Sequence, residues 1–328
     1  MTGEPGAAAG PAAPAISVVI PTRNRAAYLR DALEAIRDGE FQDFEVWVVD
    51  QSDGDDTQHL VREFDSRMRY LRIDRRGACP ARNIGAASAR ADLIAFTDDD
   101  CVPNADWLAR IVQAFATDPG LEFVFGELKA PAEPRSGGGY PEALFPPHAG
   151  LARTPRKIVT MGAGANMSCR ASFLYRAGGF DDVLGRHDAR VMNADVSMAY
   201  KAYRQARWIA SPDIQVVHEH GFRPQQELAA LMRAYAFELG ANYGRLTRRR
   251  DFVATRLFAR ELTAALWRAV RSAARGERPH GLRSAIAYAH SFALGLLVPA
   301  RAGYVDGNAM RALRRDYAAA DTESAPTA

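Results

Sequence analysis

Short apolar runs alternate with helical repeats of apolar residues along the first hundred positions of the chain. The β-branched run at residues 16–20 ends at Pro21, which is typical of a buried strand. Leu29, Leu33 and Ile36 then recur at helical spacing. Further runs predict strands at residues 45–49, 70–73 and 92–96, and helices at residues 57–64 and 80–89. This order predicts an α/β fold, with a mostly parallel sheet and helices on both faces.

Polar residues stand just past the ends of three predicted strands. Thr22, Asp50 and Asp98 each follow an apolar run. Because ligands bind outside the carboxyl ends of parallel strands, we expect these three side chains to line one crevice. Asn24, in the turn after the first strand, is a candidate cap for the helix that follows.

The second half of the predicted sheet region is less regular. Residues 130–155 contain three consecutive glycines and six prolines, which predicts a loop. A helix is expected near residues 194–207, followed by a strand at residues 214–217. His218 and His220 come directly after this strand, and we expect them to share one face while strand geometry lasts.

Composition indicates an ordinary globular protein with an uneven distribution of charge. The 328 residues are 48% hydrophobic and 25% charged, and the net charge of +3 gives no indication of nucleic-acid binding. Residues 221–328 carry 17 basic and nine acidic side chains, a net charge of +8. That excess fits either a solvated arginine-rich helical surface or a surface for an anionic partner, and both readings stay open.

The chain divides into four predicted parts. Residues 1–15 are rich in glycine, alanine and proline, lack the features of a secretory signal and predict a disordered tail. Residues 16–222 form the predicted α/β domain, residues 223–317 a helical C-terminal region, and residues 318–328 a second tail. The three cysteines fit neither a zinc site nor a disulfide framework, which favours a cytoplasmic location.

The C-terminal region contains a basic amphipathic helix. Between Ala254 and Arg275, apolar residues including Trp267 alternate with five arginines. Such a helix commonly packs on a protein core. It is also the pattern of a helix that lies at the inner face of a membrane. Residues 284–300 contain too many polar positions for a spanning helix, so we expect a buried or interfacial one.

Asp98, Asp99 and Asp100 form an acidic triplet at a predicted strand end. Adjacent carboxylates repel one another, and a divalent cation relieves that repulsion. Oxygen ligands suit Mg²⁺ or Mn²⁺, which bridge carboxylates and substrate phosphates. From the triplet alone, a metal site and a solvated acidic turn are equally compatible with the sequence.

The order and spacing of several short motifs resemble those of glycosyltransferase family 2. The segments are Ile20-Pro-Thr-Arg-Asn24, Val48-Val-Asp50, Ala81-Arg-Asn83-Ile-Gly85, Phe96-Thr-Asp-Asp-Asp100, Gly164-Ala-Asn-Met167 and Gly178-Gly-Phe-Asp181. The resemblance covers roughly residues 15–222. It implies a GT-A fold, a nucleoside-diphosphate-sugar donor, Mn²⁺ or Mg²⁺ as cofactor, and transfer to an acceptor hydroxyl with inversion at the anomeric carbon.

The resemblance also implies roles for individual residues. Those implied to bind the nucleotide sugar are Pro21, Thr22, Arg23, Asp50, Gln51, Arg82, Asn83, Asp98 and Asp99. Those implied to bind the metal are Asp98, Asp100 and His218, although His218 could instead contact the diphosphate. Gln51 stands where many members have aspartate, and an amide both donates and accepts, so the identity of the base stays open.

Asp195 is the implied catalytic base, which would take the proton of the attacking hydroxyl. The glutamate that usually precedes it in the family is replaced by Ala194, which puts acceptor geometry and activity in question. An aspartate at the start of a helix can also be merely a cap. Asn166 and Asp188 are placed on the acceptor side.

Two other functions compete with sugar transfer. A sugar nucleotidyltransferase would share the fold and the acidic metal site, but residues 21–25 lack the glycine-rich loop usual after its first strand. A non-catalytic nucleotide-sugar-binding protein would be compatible with Ala194. A dehydrogenase is disfavoured because no G-x-G-x-x-G follows the first strand.

Overall fold

The computed structural model describes residues 12–144, 162–181, 194–276, 282–297 and 307–317. The strands are β1 (Ile16–Thr22), β2 (Phe44–Asp50), β3 (Met68–Arg72), β4 (Leu93–Phe96), β5 (Val102–Pro103), β6 (Phe123–Lys129), β7 (Gly138–Gly139), β8 (Met167–Arg170), β9 (Trp208–Val217) and β10 (Arg223–Pro224). The helices are α1 (Ala26–Arg37), α2 (Asp56–Arg62), α3 (Ala78–Ser88), α4 (Trp107–Thr117), α5 (Ala171–Ala177), α6 (Ala194–Gln205), α7 (Gln225–Arg248), α8 (Phe252–Ala274), α9 (Leu282–Leu297) and α10 (Gly307–Tyr317). The predicted tail at residues 318–328 and most of the tail at residues 1–15 lie outside the described residues.

The main sheet has eight strands in the order β3-β2-β1-β4-β8-β6-β9-β5. The four strands predicted from the N-terminal apolar runs are all parallel, as expected. The other half is mixed, because β8 runs antiparallel to both β4 and β6, while β9 is parallel to β6. The sheet is therefore less uniformly parallel than the order of elements predicts.

Helices cover both faces of the sheet, which confirms that part of the prediction. One apolar cluster joins α1, α2 and α4 to alternate residues of β1 and β2, including Val18 and Val48. The other cluster joins α3, α5 and α6 to the opposite face, which includes Val19 and Val49. This alternation follows from the two-residue period of a strand.

The small residues of α3 allow it to pack unusually close to the sheet. A Cβ atom added at Gly85 would lie 2.4 Å from Val19 Cγ1 and 2.9 Å from Val49 Cγ2. Only a glycine fits that contact. The close approach keeps the N-terminal half of α3, with Arg82, near the carboxyl ends of β1 and β4.

The C-terminal helices share a core with the sheet domain. Tyr243 on α7, Leu257 on α8, Tyr288 on α9 and Met310 on α10 are buried in the same apolar cluster as Phe125 of β6. Apart from β10 and the short turns between the helices, the described residues of 223–317 are helical, and α10 packs on α3 and α5.

Glycines bring α7 and α9 into direct backbone contact. A Cβ atom added at Gly240 would lie 2.3 Å from the carbonyl oxygen of Tyr288, and one added at Gly244 would lie 2.2 Å from that of Phe292. A Cβ atom added at Gly295 would likewise lie 2.2 Å from the carbonyl oxygen of Ala241. Across the described part of the chain, none of the helices has both the length and the apolar character needed to cross a bilayer.

Candidate functional site

The carboxyl edge of the parallel strands brings the predicted polar residues together. Thr22 of β1 and Asp50 of β2 are register partners, so their side chains lie next to each other at the sheet edge. Asp98 follows β4, which pairs with the other side of β1. The predicted crevice therefore lies over β2, β1 and β4, where the strand order reverses direction, which is the usual ligand position in such sheets.

Each aspartate of the triplet has its own polar partner. Arg82 Nη2 donates to Asp98 Oδ1 at 2.6 Å, and the Arg82 side chain is only 4% exposed. Thr22 Oγ1 donates to Asp99 Oδ2 at 2.8 Å. Asp100 is approached by His218, whose Nε2 lies 3.5 Å from Asp100 Oδ1. The local repulsion among the three carboxylates is thus offset by separate protein groups.

Arg25, which the sequence analysis did not single out, bridges two members of the triplet. Its Nη1 lies 3.2 Å from Asp99 Oδ1 and 3.3 Å from Asp100 Oδ2. Burial raises the pKa of Asp99 to about 6, in spite of the opposing charge of Arg25. Burial also tends to raise the pKa of Asp100. The hydrogen bond and charge of His218, together with the charge of Arg25, outweigh burial and lower that pKa to about 2. The two adjacent carboxyls therefore differ strongly in acidity.

His218 has the arrangement expected of a metal-binding histidine. Its Nδ1 lies 3.1 Å from the carbonyl oxygen of Pro141, to which only a protonated nitrogen can donate. The other nitrogen, Nε2, faces Asp100. A backbone acceptor on one ring nitrogen fixes the tautomer that leaves the second nitrogen as a ligand. Without a metal, contact with Asp100 outweighs burial and raises the pKa of His218.

The donor atoms at this point fit a small divalent cation. Atoms of Asp100, Cys101 and His218 lie within 4.8 Å of one another. A separation of 3.5 Å between Asp100 Oδ1 and His218 Nε2 permits one cation to contact both at about 2.1 Å. Burial raises the pKa of the Cys101 thiol well above its usual value, so it stays protonated and is a poor ligand. Asp98 is not part of this group of described residues, and its carboxylate instead accepts a hydrogen bond from Arg82.

Asp50 and Gln51 are tied into the protein at the predicted nucleobase end. The Asp50 carboxylate is fully buried and accepts hydrogen bonds from Ser52 Oγ at 2.5 Å and Tyr70 OH at 2.8 Å. Gln51 Oε1 accepts from the backbone N–H of Gly77 at 2.5 Å. The amide oxygen of Gln51 is thus engaged within the protein. Pro21 lies between Ile20 and Thr22 within buried β1.

The turn after β1 differs from its predicted form. Asn24 does not cap α1, because Arg25 holds the cap position and makes no side-chain cap hydrogen bond. Asn24 instead has a φ of 55°, and its amide bonds to Asp53, with Oδ1 accepting from Asp53 N at 3.0 Å. Arg23 Nη2 also lies 3.5 Å from Asp53 Oδ2. These contacts join the loops after β1 and β2, which aims Arg25 at the triplet.

The two histidines after β9 contact different groups, so the expectation of one shared face is wrong. His220 stacks on Tyr28 of α1, with ring centroids 4.2 Å apart, and its Nε2 lies 2.7 Å from Asp31 Oδ2. His218 faces Asp100. The strand ends at Val217, and the turn that follows separates the two rings.

Asn83 and Asn166 are each about 1% exposed and are bonded within the interior. Asn83 Oδ1 accepts from Phe180 N at 2.7 Å, and its Nδ2 donates to Phe180 O at 2.8 Å. Asn166 accepts from Trp107 Nε1 at 2.9 Å and donates to the carbonyl oxygens of Glu127 and Ile214. Both amides, predicted to contact the nucleotide and the acceptor, thus form their described hydrogen bonds with interior protein groups.

The helix that carries Asp195 is anchored by a buried ion pair. Lys201 Nζ lies 3.0 Å from Asp181 Oδ1, and Ser197 Oγ donates to Asp181 Oδ2 at 2.7 Å. Asn83 bonds to the backbone of Phe180, the residue before Asp181. Asp195 lies in the first turn of α6, and its side chain, like all of Asp188, lies outside the described residues.

Comparison with known proteins agrees with this arrangement. Residues 17–176 match the family model described as glycosyl transferase family 2. Residues 17–176 are a glycosyltransferase family 2 domain. The matched residues include β1, β2 and β4 with Asp50 and the aspartate triplet, whereas Asp195 and His218 follow the matched segment.

Several curated glycosyltransferases resemble this chain over part of their length. The glycosyltransferase AglE of Haloferax volcanii is 31% identical over 35% of this chain and 40% of its own length. A Campylobacter jejuni GalNAc(5)-diNAcBac-PP-undecaprenol β-1,3-glucosyltransferase is 30% identical over 34% of this chain and 38% of its own. The Mycobacterium tuberculosis pre-mycofactocin glycosyltransferase is 28% identical over 64% and 44%. The similarity thus spans less than half of each relative.

Solved structures show that this family 2 protein has the GT-A fold. The mannosyltransferase PcManGT from Pyrobaculum calidifontis, in complex with GDP-Man and Mn²⁺, has a TM-score of 0.54 at 22% identity and covers 95% of this chain and 89% of its own. Residues 1–349 of Staphylococcus aureus TarS, in complex with UDP, have a TM-score of 0.55 at 18% identity and cover 92% and 88%. The similarity to both neighbours extends over the C-terminal helices of this chain as well as the sheet.

Proposed function

We propose that this protein is a metal-dependent inverting glycosyltransferase that moves a sugar from a nucleoside-diphosphate donor to an acceptor hydroxyl. The observation that carries the proposal is the pairing of Asp100 Oδ1 with His218 Nε2 at the carboxyl edge of the sheet. The second ring nitrogen of His218 is engaged by Pro141, as in a metal-binding histidine. Arg25, which contacts Asp99 and Asp100, supplies positive charge where a diphosphate would lie.

The residues proposed to bind the donor fall into two groups, one at its nucleobase and ribose end and one at its diphosphate end. Thr22, Asp50 and Gln51 lie at the nucleobase and ribose end, and Arg82 holds Asp98 beside it. At the diphosphate end, Asp100 and His218 would hold Mn²⁺ or Mg²⁺. When bound, that cation would supply positive charge to the departing nucleoside diphosphate. The GDP-Man and Mn²⁺ of the mannosyltransferase neighbour and the UDP-GlcNAc of a TarS complex support this division.

Asp195 is proposed as the base. The acceptor oxygen forms a bond to the anomeric carbon while the bond from that carbon to the diphosphate oxygen breaks. The electron pair of the broken bond leaves with the nucleoside diphosphate, and the acceptor proton passes to the Asp195 carboxylate. Because attack occurs opposite the leaving group, the anomeric configuration inverts. The anchor of α6 through Asp181 and Lys201 supports a fixed position for this helix.

The acceptor belongs, in this proposal, to the biosynthesis of a polysaccharide, a glycolipid or a glycosylated metabolite. The undecaprenol-linked substrate in the name of the Campylobacter jejuni relative supports a lipid-linked class. The protein would then act in the cytoplasm, at the inner face of the membrane.

The outer surface of α8 supports such peripheral membrane contact. Phe252, Trp267 and Val270 are 78%, 62% and 58% exposed, and their spacing places them along one side of the helix. Arg256 and Arg260 are exposed beside them. An apolar stripe with arginines along its edge is suited to an anionic bilayer surface.

The function is tested by incubating purified protein with UDP-, GDP- and dTDP-sugars, with and without Mn²⁺. Slow, Mn²⁺-dependent release of nucleoside diphosphate from one donor is the expected result. Release of pyrophosphate would indicate nucleotidyl transfer instead. Tight donor binding without turnover, even with a range of acceptors, would indicate a binding protein.

A further inference from the structure

A cavity of about 820 Å³ opens beside Asp100, on the side of the sheet covered by α1 and α2. Its wall is formed by the start of α1, the loop between β2 and α2, and the residues around β10. Arg82 on α3 and the helix α6 that carries Asp195 pack on the opposite face of the sheet. The cavity therefore adjoins the proposed metal position and Arg25. The other residues assigned to the donor do not line it: Thr22, Asp50, Gln51, Arg82 and Asp98.

Three arginines, Arg25, Arg135 and Arg223, line this cavity. The charge of Arg25 is engaged by Asp99 and Asp100. Arg135 and Arg223 form no ion pair with any residue that the structure describes. Two carboxylates, Asp56 and Asp100, also face the cavity, so its arginines outnumber its acids.

Phe222 holds both unpaired arginines in position. The Arg135 guanidinium lies over the Phe222 ring, 5.8 Å from its centroid, and Arg223 Nη1 donates to the Phe222 carbonyl oxygen at 2.9 Å. The pairing of β7 with β10 brings the two segments together. A Cβ atom added at Gly138 would lie 2.1 Å from Arg223 O, so this pairing requires a glycine.

We propose that this cavity binds a phosphate group carried by the acceptor, a proposal that rests on the proposed function. A guanidinium offers paired N–H donors that match phosphate oxygens, and prior orientation lowers the entropic cost of binding. Ala26 and Ala27 also line the cavity, and they begin α1, where backbone N–H groups have no acceptor within a helix. The acceptor class is therefore a phosphate-bearing molecule, such as a lipid-linked or polymeric phosphate ester, whose phosphate lies beside the donor's metal site.

The competing source of phosphate is the diphosphate of the donor itself. Calorimetric titrations in Mg²⁺ separate the two sources, using first UDP and GDP and then sn-glycerol 3-phosphate added to protein saturated with the nucleotide that binds. Glycerol serves as the uncharged control ligand. We expect glycerol 3-phosphate to bind the nucleotide-saturated protein and glycerol not to bind.

Arg135→Gln and Arg223→Gln should each weaken glycerol 3-phosphate binding at least tenfold and change nucleotide affinity less than twofold. Arg110→Gln is the matched control, because this exposed arginine on α4 does not line the cavity. Arg135→Lys should recover only part of the loss, since an ammonium lacks the paired donors.

The proposal is overturned if glycerol 3-phosphate fails to bind the nucleotide-saturated wild type. It is equally overturned if the two arginine variants weaken nucleotide binding instead, which would assign the cavity to the donor. In both cases nucleotide still binds, and the proposed function stands. If neither nucleotide nor nucleotide sugar binds, the proposed function fails, and the acceptor site fails with it.

Discussion

Arg25 and Asp100 form an ion pair at the site where a divalent cation is proposed to bind, with Nη1 and Oδ2 3.3 Å apart. The same guanidinium also contacts Asp99. The protein thus supplies its own positive charge to the triplet, and that charge opposes a metal ion while favouring an anionic diphosphate. Metal and nucleotide are therefore expected to bind better together than separately.

The first prediction concerns the repulsion between the charge of Arg25 and a metal ion bound at Asp100. Arg25→Gln should strengthen Mn²⁺ binding to the nucleotide-free protein by about tenfold, because it removes a positive charge next to Asp100. It should also weaken nucleoside-diphosphate binding in saturating Mn²⁺ by a similar factor. Calorimetric titration of metal and nucleotide separately measures both changes. A loss of Mn²⁺ affinity in this variant would contradict the assigned role.

The second prediction concerns the metal ligands. Asp100→Ala and His218→Ala should abolish the Mn²⁺ dependence of nucleotide binding, as EDTA should in the wild type. Cys101→Ser is the matched control, because the protonated thiol of Cys101 contributes little to the site. Nucleotide affinity is measured with and without Mn²⁺ for each variant. An undiminished Mn²⁺ effect in both substituted proteins would exclude the proposed pair.

Much of the first half of the fold follows from local sequence. Leu29, Leu33 and Ile36 are buried on one side of α1 as their spacing predicts, and the register of Thr22 with Asp50 follows from adjacent parallel strands. The directions of β6 and β8 do not follow from their own residues. Strand direction there depends on long-range pairing, which places Met167 opposite both Phe96 and Phe125.

The site was predictable in its acidic residues and less so in its basic ones. Asp98–Asp100 is conspicuous in the sequence, whereas Arg23 and Arg25 are equally plausible partners for it. The choice depends on Asn24, whose φ of 55° and bonds to Asp53 turn Arg25 inward. The acidic triplet follows β4, three strands further along the chain, so the sequence around Asn24 gives no local signal of that turn. The roles of Asn83 and Asn166 also depend on tertiary contacts that the sequence does not reveal.

The third prediction concerns the proposed base. Asp195→Asn should leave the dissociation constant for nucleotide sugar within about twofold of wild type. Turnover should fall by roughly 10²- to 10⁴-fold, the usual contribution of a general base. Asp106→Asn is a matched control, since Asp106 is the N-cap residue of α4. Donor hydrolysis and donor binding are measured in parallel, and near wild-type turnover in Asp195→Asn would assign the base elsewhere.

The fourth prediction concerns the buried pair of Asp181 and Lys201, whose side chains are 6% and 8% exposed. Asp181→Ala should reduce the free energy of unfolding by about 3–5 kcal/mol, because it leaves the Lys201 ammonium buried without a counter-charge. The double variant Asp181→Ala/Lys201→Met should recover part of this loss. Urea unfolding of the three proteins at pH 7 measures the differences.

The same pair should show a defined pH dependence. Although burial acts in the opposite direction, the charge of Lys201 and its hydrogen bonds lower the pKa of Asp181 in the folded protein. A lowered folded-state pKa contributes stability above the unfolded value of about 3.9, and that contribution is lost as pH falls further. The difference between wild type and Asp181→Ala should therefore shrink below about pH 4. A constant difference down to pH 3 would contradict this account.

The fifth prediction concerns the exposed stripe on α8. Because α7, α8, α9 and α10 share a core with the sheet, truncating the chain near residue 222 would expose that core and confuse the result. Substitutions in the full chain avoid this problem. Trp267→Ser with Phe252→Ser should lower the partition coefficient onto vesicles of anionic phospholipid by at least tenfold, since both side chains are more than half exposed.

Leu144→Ser provides the matched control, because Leu144 is 55% exposed but lies outside the C-terminal helices. Binding should also weaken at high salt and on vesicles of neutral lipid, since the arginines beside the stripe act through charge. Co-sedimentation at two salt concentrations measures both effects. Equal partitioning of wild type, control and double variant would mean that α8 does not face a membrane, and the lipid-linked acceptor would lose its main support in the structure.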